Sequence, residues 1–170
     1  MKIRLAERAD LAAVCAIYND EVRTGVATFD TEPREGDAAN AWFESHQTAA
    51  HPLVVAELDG TIAGWACLSP WSPRGAYVRT TEGSVFVARA FRDRGLGAQL
   101  LGRIVDLACA AGHRVVLGRI EASNAASRHM LERCGFRSVG TMHAVGEKLG
   151  RVLDVEVFEI VLDASPPPAA

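Results

Sequence analysis

Between Val85 and Gly97 the chain reads Val-Phe-Val-Ala-Arg-Ala-Phe-Arg-Asp-Arg-Gly-Leu-Gly, a β-prone run that turns through basic residues into a strongly periodic segment. A helix that starts there leaves its first N–H groups without partners and carries partial positive charge, so it attracts anions. Gly95 and Gly97 let the backbone come close to a ligand, and Arg92 and Arg94, flanking Asp93, add charge at the mouth. A pyrophosphate seated on this loop would accept several charge-assisted hydrogen bonds of about 1.5–3 kcal/mol each. The spacing is R-x-x-G-x-G. No Lys-Ser/Thr pair follows and the third glycine of G-x-G-x-x-G is replaced, so nucleoside-triphosphate and dinucleotide readings fall away. Phe29 is a second residue of interest, a large apolar side chain in an aperiodic loop, where it either contacts a ligand or anchors the loop.

The elements that must hold these residues follow from periodicity. Lys2 to Ala6 alternates as a strand, and Leu11, Val14, Cys15, Tyr18 and Val22 form one helical stripe. Arg23 to Arg34 reads as a loop and Glu35 to Gln47 as a second helix. Leu53 to Leu58 and Thr61 to Leu68 form a hairpin about Asp59-Gly60. After the loop Ser69 to Gly75, residues Ala76 to Ala88 read as a strand, with Gly83 marking a bulge or a close backbone approach. Leu96, Leu100, Ile104, Leu107 and Ala111 define a long helix that ends at Gly112. Arg114 to Ile120 reads as a strand, Asn124 to Arg133 as a helix stopped by Gly135, and Phe136 to Val145 and Val152 to Leu162 as two last strands. The order βααβββαβαββ is that of a single mixed α/β domain.

Composition narrows the function. The 170 residues carry 49% hydrophobic and 23% charged side chains and a net charge of −3, enough to bury the core of one domain. The basic residues are scattered among acids, which argues against coating nucleic acid. Cys15, Cys67, Cys109 and Cys134 form no C-x-x-C pair and read as small core residues in a reducing cytoplasm. No segment approaches the roughly 20 apolar residues of a membrane span, and no secretory signal opens the chain. The histidines have neither i, i+4 partners nor clustered acids, so no metal is expected. His143 lies in the penultimate expected strand. The run Ser165 to Ala170, with three prolines, is expected to fray, which sets the domain at residues 1–163 and a disordered tail at 164–170.

The R-x-x-G-x-G loop resembles that of the GCN5-related N-acetyltransferase (GNAT) superfamily, and Asn124-Ala-Ala-Ser127 opening a helix that ends Cys134-Gly135-Phe136 is similar to the superfamily's second element for contacting CoA. Thr28 to Pro33, Pro70-Trp71, Ala76-Tyr77, Thr81-Glu82, Gly150-Arg151 and Asp154 resemble the branch that acetylates phosphinothricin and methionine sulfoximine, with the likeness running from Ile3 to Leu162. The resemblance implies a GNAT fold, a mixed and mostly antiparallel sheet flanked by helices. It implies acetyl-CoA as co-substrate, held by Val85, Phe86, Val87, Arg92, Asp93, Arg94, Gly95, Leu96, Gly97, Asn124 and Ser127. The strand carrying Val85 to Val87 would splay from its neighbour, and backbone amides of Phe86 or Val87 would polarise the thioester carbonyl.

By the same resemblance Glu82 stands where related enzymes keep a general base, and the acetyl group passes directly from sulfur to amine. An α-amine near pKa 8 needs roughly 1–1.5 kcal/mol for deprotonation at neutral pH, against about 4–5 for a lysine side chain, so one carboxylate suffices. Arg74 or Arg79 would clamp a substrate carboxylate. Phe29 and Tyr77, with Trp71, would form an apolar wall, although Trp71 is better explained by simple packing. Where many relatives carry a tyrosine or histidine that protonates the departing thiolate, this chain has Leu131, and His129 is turned away by roughly 200°, so the general acid stays unassigned. Relatives are commonly homodimers, and the apolar last strand would be a sticky edge if unpaired. Two alternatives stand: the same cofactor with another acceptor (a protein N-terminus, polyamine or aminoglycoside), or a fold that binds acetyl-CoA without chemistry.

Overall fold

The computed structural model describes residues 1–162, and the expected tail at 164–170 lies outside them. The strands are β1 (Lys2–Leu5), β2 (Leu53–Leu58), β3 (Thr61–Pro70), β4 (Thr80–Val87), β5 (Val115–Glu121), β6 (Arg137–Lys148) and β7 (Arg151–Val161). The helices are α1 (Leu11–Thr24), α2 (Gly36–Ser45), α3 (Leu96–Ala110) and α4 (Ala125–Arg133), in the expected order βααβββαβαββ. One seven-stranded sheet runs β1-β2-β3-β4-β5-β7-β6, antiparallel throughout except between β4 and β5.

Alternation along each strand divides the core in two. Val55, Trp65, Cys67 and Phe86 face α1 and α2, where they meet Val14, Tyr18, Val22 and Phe43. Val54, Ala66, Leu68 and Val116 face α3, packing on Leu96, Leu100, Leu101 and Ile104, and Phe158 and Leu131 join the same layer. The Asp59-Gly60 turn has φ of 49° and 78°, the left-handed pair that a two-residue hairpin requires. At the start of α1 the Asp10 carboxylate accepts two hydrogen bonds from Arg4, at 2.6 and 2.9 Å, and one from the Glu7 amide.

Several expectations change. Residues Gly75–Tyr77 form a 3-10 turn rather than the beginning of a strand, closed by Tyr77 N–H to Arg74 O and Val78 N–H to Gly75 O, so β4 starts only at Thr80. The β-branched residues of this stretch misled because Val78 is exposed rather than packed on a pleated surface. Helix α2 is shorter at both ends than periodicity suggested, and β3 runs on to Pro70. The last strand is not an edge: β7 lies between β5 and β6, and β6 is the outer strand.

The close packing of the α3 layer gives a direct test. Phe158 is fully buried on β7, so Phe158→Ala should cost about 3–5 kcal/mol, read as a lower urea midpoint with an unchanged slope. A loss below about 1 kcal/mol would contradict the packing described.

Candidate active site

Strand β4 keeps seven residue pairs with β3, and β5 keeps seven with β7, but β4 and β5 pair only through Thr80, Thr81 and Glu82 with Val115, Val116 and Leu117. Beyond Glu82 the two strands part. Leu131 and Met130 of α4 fill the fork: Leu131 packs on Gly118, and a Cβ on Gly97 would stand 2.8 Å from the Met130 sulfur. The bond from the Ala88 N–H to the Ala63 carbonyl fixes the ladder's alternation, which turns the Phe86 backbone towards β3 and those of Val85 and Val87 towards the gap. The Val87 carbonyl on that side accepts from Arg92 Nε at 3.1 Å. Of the two amides expected to polarise a carbonyl, that of Val87 faces the opening while that of Phe86 lies on the β3 side.

Two cavities open at the fork. The larger, about 880 Å³, is lined by Val85, Phe86, Val87, Arg92, Asp93 and the first turn of α3, with Asn124 and Ser127 on its other wall. Gly95 caps α3 with φ of +74°, and no side chain caps the helix, so the N–H groups of Gly95, Leu96, Gly97 and Ala98 have no intrahelical partner. All four residues line the cavity. Asp93 is also left-handed, at φ 61°, and the two left-handed residues curl the loop into a concave row of amides. This donor set fits a pyrophosphate. Arg92 is braced from behind, its Nη2 donating to Glu21 at 3.2 Å, while Arg94 lies over the Phe91 ring. Asn124 Oδ1 caps α4 by accepting from the Ser127 N–H.

The smaller cavity, about 330 Å³, lies between the β3–β4 face and the loop joining α1 to α2. It shares Ala27, Val85, Phe86, Glu121, Asn124, Ser127 and Met130 with the larger one, so the two meet at the fork. Glu82 lines it and is held by Arg119 through two parallel hydrogen bonds of 2.8 Å. Arg119 reaches over the Trp71 ring, and its pKa is raised by the Glu82 bond. Phe29 also lines this cavity, its ring lying so close over Gly146 that a Cβ there would stand 2.3 Å away. Tyr18 fixes the loop, its hydroxyl donating to Asp30 at 2.5 Å and sharing a bond with Thr28. Burial and the Asp30 carboxylate push that phenol up to about 12, so it stays a donor.

Arg74, Tyr77 and Arg79 are not brought to either cavity. Arg74 and Tyr77 belong to the exposed 3-10 segment, and Arg79 donates from Nε to the Gly112 carbonyl at 2.8 Å, behind the start of β5. Besides Glu82, the charged residues lining the smaller cavity are Asp30, Arg34, Arg119 and Glu121, none of which the sequence marks as a site residue. The one available signal was parity: Arg119 follows Leu117 at strand spacing, opposite the Glu82 pairing. Leu131 is buried in the core. His143 bonds Asp154 on the exposed β6 bulge. Among the described residues no group of three His, Cys, Asp or Glu could hold a metal, and no helix is long and apolar enough to cross a membrane.

Residues 11–136 match the model of the acetyltransferase (GNAT) family. The chain is 36% identical over 170 residues to an L-amino acid N-acyltransferase of Escherichia coli, covering 100% of this chain and 99% of that one. It is 33% identical to the phosphinothricin N-acetyltransferase of Streptomyces viridochromogenes, covering 99% and 91%. A Salmonella typhimurium protein described as an acetyltransferase and solved with its cofactor acetyl-CoA superposes with a TM-score of 0.94 at 36% identity, covering 100% and 98%.

The cavity wall also carries a titratable support. His46 is buried, sharing a hydrogen bond with the cavity residue Ser69 at 3.0 Å and one with the Trp42 carbonyl at 2.7 Å. Burial lowers its pKa, so the unfolded chain takes up the proton first as pH falls. Its contribution to stability is therefore complete above the unfolded value of about 6.5 and is lost as pH drops through the lower folded value. Thermal midpoints should fall on acidification below about pH 6.5, and less steeply in His46→Gln, which cannot titrate. Equal slopes in the two proteins would remove His46 from this role.

Proposed function

The chain belongs to the acetyltransferase (GNAT) family, and on that premise we propose that it moves the acetyl group of acetyl-CoA to the α-amine of a small amino-acid-like acceptor, of the methionine sulfoximine or phosphinothricin type. The observation that carries this reading is the Glu82–Arg119 pair at the acceptor end of the fork. An α-amino acid head presents an ammonium beside a carboxylate, and a carboxylate beside a guanidinium is its complement. Arg119 thus takes the clamping role that Arg74 and Arg79 are too remote to fill.

Acetyl-CoA supplies an activated thioester whose carbonyl carbon accepts the amine lone pair while the C–S bond breaks to release the thiolate and the acylated nitrogen sheds its extra proton to solvent. The chain's own residues do the rest. Backbone amides from Gly95 to Ala98 hold the pyrophosphate, and the Val87 amide faces the thioester oxygen. Each Glu82 oxygen bonded to Arg119 keeps a second lone pair. It can therefore receive the ammonium N–H and pass the proton on to solvent. With an α-amine near pKa 8 the required deprotonation is small, about 1.4 kcal/mol per unit above ambient pH. Leu131 offers no proton, so the CoA thiolate, near pKa 8.5 by analogy with cysteine, departs with help from solvent.

We also assign a second copy of the chain as partner. Strand β6 is the outer strand of the sheet and exposes Val139, Met142 and Val145. A cytoplasmic setting suits four unbridged cysteines and a CoA thioester. Sedimentation at micromolar concentration should report a dimer that Val139→Lys disrupts, and a wild-type monomer would refute it.

Turnover is the primary test. Thiol release from acetyl-CoA should occur with methionine sulfoximine, methionine sulfone or phosphinothricin, and none with any of them, nor with a panel of L-amino acids, overturns the reading. Glu82→Gln should lower kcat by about 10²-fold or more with acetyl-CoA affinity retained. An unchanged kcat would take Glu82 out of proton transfer.

A further inference from the structure

We propose that Arg34 and Trp65 form an oxygen-binding subsite on the floor of the acceptor cavity, selecting acceptors whose side chain ends in a hydrogen-bond-accepting oxygen such as a sulfone, phosphinate or carboxylate. The proposal rests on the acetyltransferase reading for the identity of the ligand, but its geometry is independent of it. The Arg34 guanidinium is sandwiched between two rings, 4.1 Å from the Tyr18 centroid and 4.0 Å from that of Trp42. Its backbone is pinned at both ends by Asn19, which accepts from the Arg34 N–H at 2.8 Å and donates to the Arg34 carbonyl at 3.0 Å. The side chain is only 16% exposed, and its nearest carboxylate, Asp30, stands at 3.9 Å and is already engaged by the Tyr18 hydroxyl. Within this rigid setting Arg34 Nη1 is buried with no hydrogen-bond partner, and the same is true of Trp65 Nε1.

Both residues line the acceptor cavity. A buried N–H left unpaired is unfavourable, and more so on a charged group, so this floor is incomplete without an acceptor. The neighbouring polar groups do not provide one: the Ser69 hydroxyl is bonded to His46, and the fully buried Cys67 thiol is a weak partner whose pKa is pushed up to about 12. Two N–H donors, one of them cationic, favour a group that only accepts. Arg119 beside Glu82 takes the α-carboxylate, which leaves the floor to the far end of the side chain.

Calorimetric binding to the intact protein tests this without relying on turnover. Methionine sulfone should bind about tenfold or more tightly than norleucine, which has a similar shape and no side-chain oxygen. Arg34→Gln and the milder Trp65→Phe, each checked for an unchanged unfolding transition at the assay temperature, should weaken the sulfone by about tenfold and norleucine by less than about twofold. Loss of either ligand in equal measure would overturn the subsite, as would a wild type that does not distinguish them. With methionine sulfone α-carboxamide the effect of Arg34→Gln should persist. Its disappearance would place the α-carboxylate at Arg34 and refute the side-chain assignment. Selective sulfone binding without acetyl transfer would uphold the subsite while the transferase reading fails.

Discussion

The parting of β4 from β5 is the constraint on which the rest depends. Each strand is committed by seven residue pairs to its outer neighbour and by only three to the other, so sheet twist separates them where the weaker pairing ends. Leu131 and Met130 keep the fork from closing, with α4 held by the Asn124 cap. An open fork frees the backbone of Val85 and Val87, joins the two cavities and leaves Glu82, the last paired residue, at the point where a thioester and an amine could meet. A sheet that stayed paired through Val87 would spend those amides on its own ladder.

The loop between α1 and α2 is the second determinant, and it is tied to both cavities. Glu21, buried at the end of α1, accepts from the Ala27 amide at 3.1 Å and from Arg92 of the phosphate loop at 3.2 Å. Lys148 on β6 donates to the Thr28 carbonyl at 2.8 Å, and burial lowers its pKa. Tyr18, Thr28 and Asp30 then form a hydrogen-bonded corner that delivers Phe29 to the acceptor cavity. The loop at Arg92 and the wall carrying Phe29 are thereby tied into one bonded unit through Glu21 and Lys148.

Charge within the site is arranged rather than abundant. The chain carries a net −3, yet the acceptor cavity sets Arg119 against Glu82 and Arg34 against aromatic faces. An amino-acid head group would meet opposite charge at each end, which makes orientation, more than raw affinity, the product of this layout.

Much of this was legible in one dimension. Element order, the Asp59-Gly60 hairpin, the long α3 and the R-x-x-G-x-G cradle are local, set by period, turn chemistry and the unpartnered amides of a helix start, and the sequence determines them by itself. The 3-10 segment at Gly75–Tyr77 escaped because β-propensity reports fit to a packed surface, and these residues have none. The charged partners escaped for a different reason. Arg119 lies 37 residues from Glu82, Arg92 lies 71 from Glu21, and Arg34 meets Trp42, and shares a cavity with Trp65, only once α2 docks on the sheet. Sequence spacing carries no record of such pairings, so the sequence points to the arginines beside the motif, Arg74 and Arg79, and not to Arg119. Only the tertiary structure, through the register of β5 on β7 and the fork it enforces, decided which guanidinium stands beside Glu82 and which donors line the same cavity.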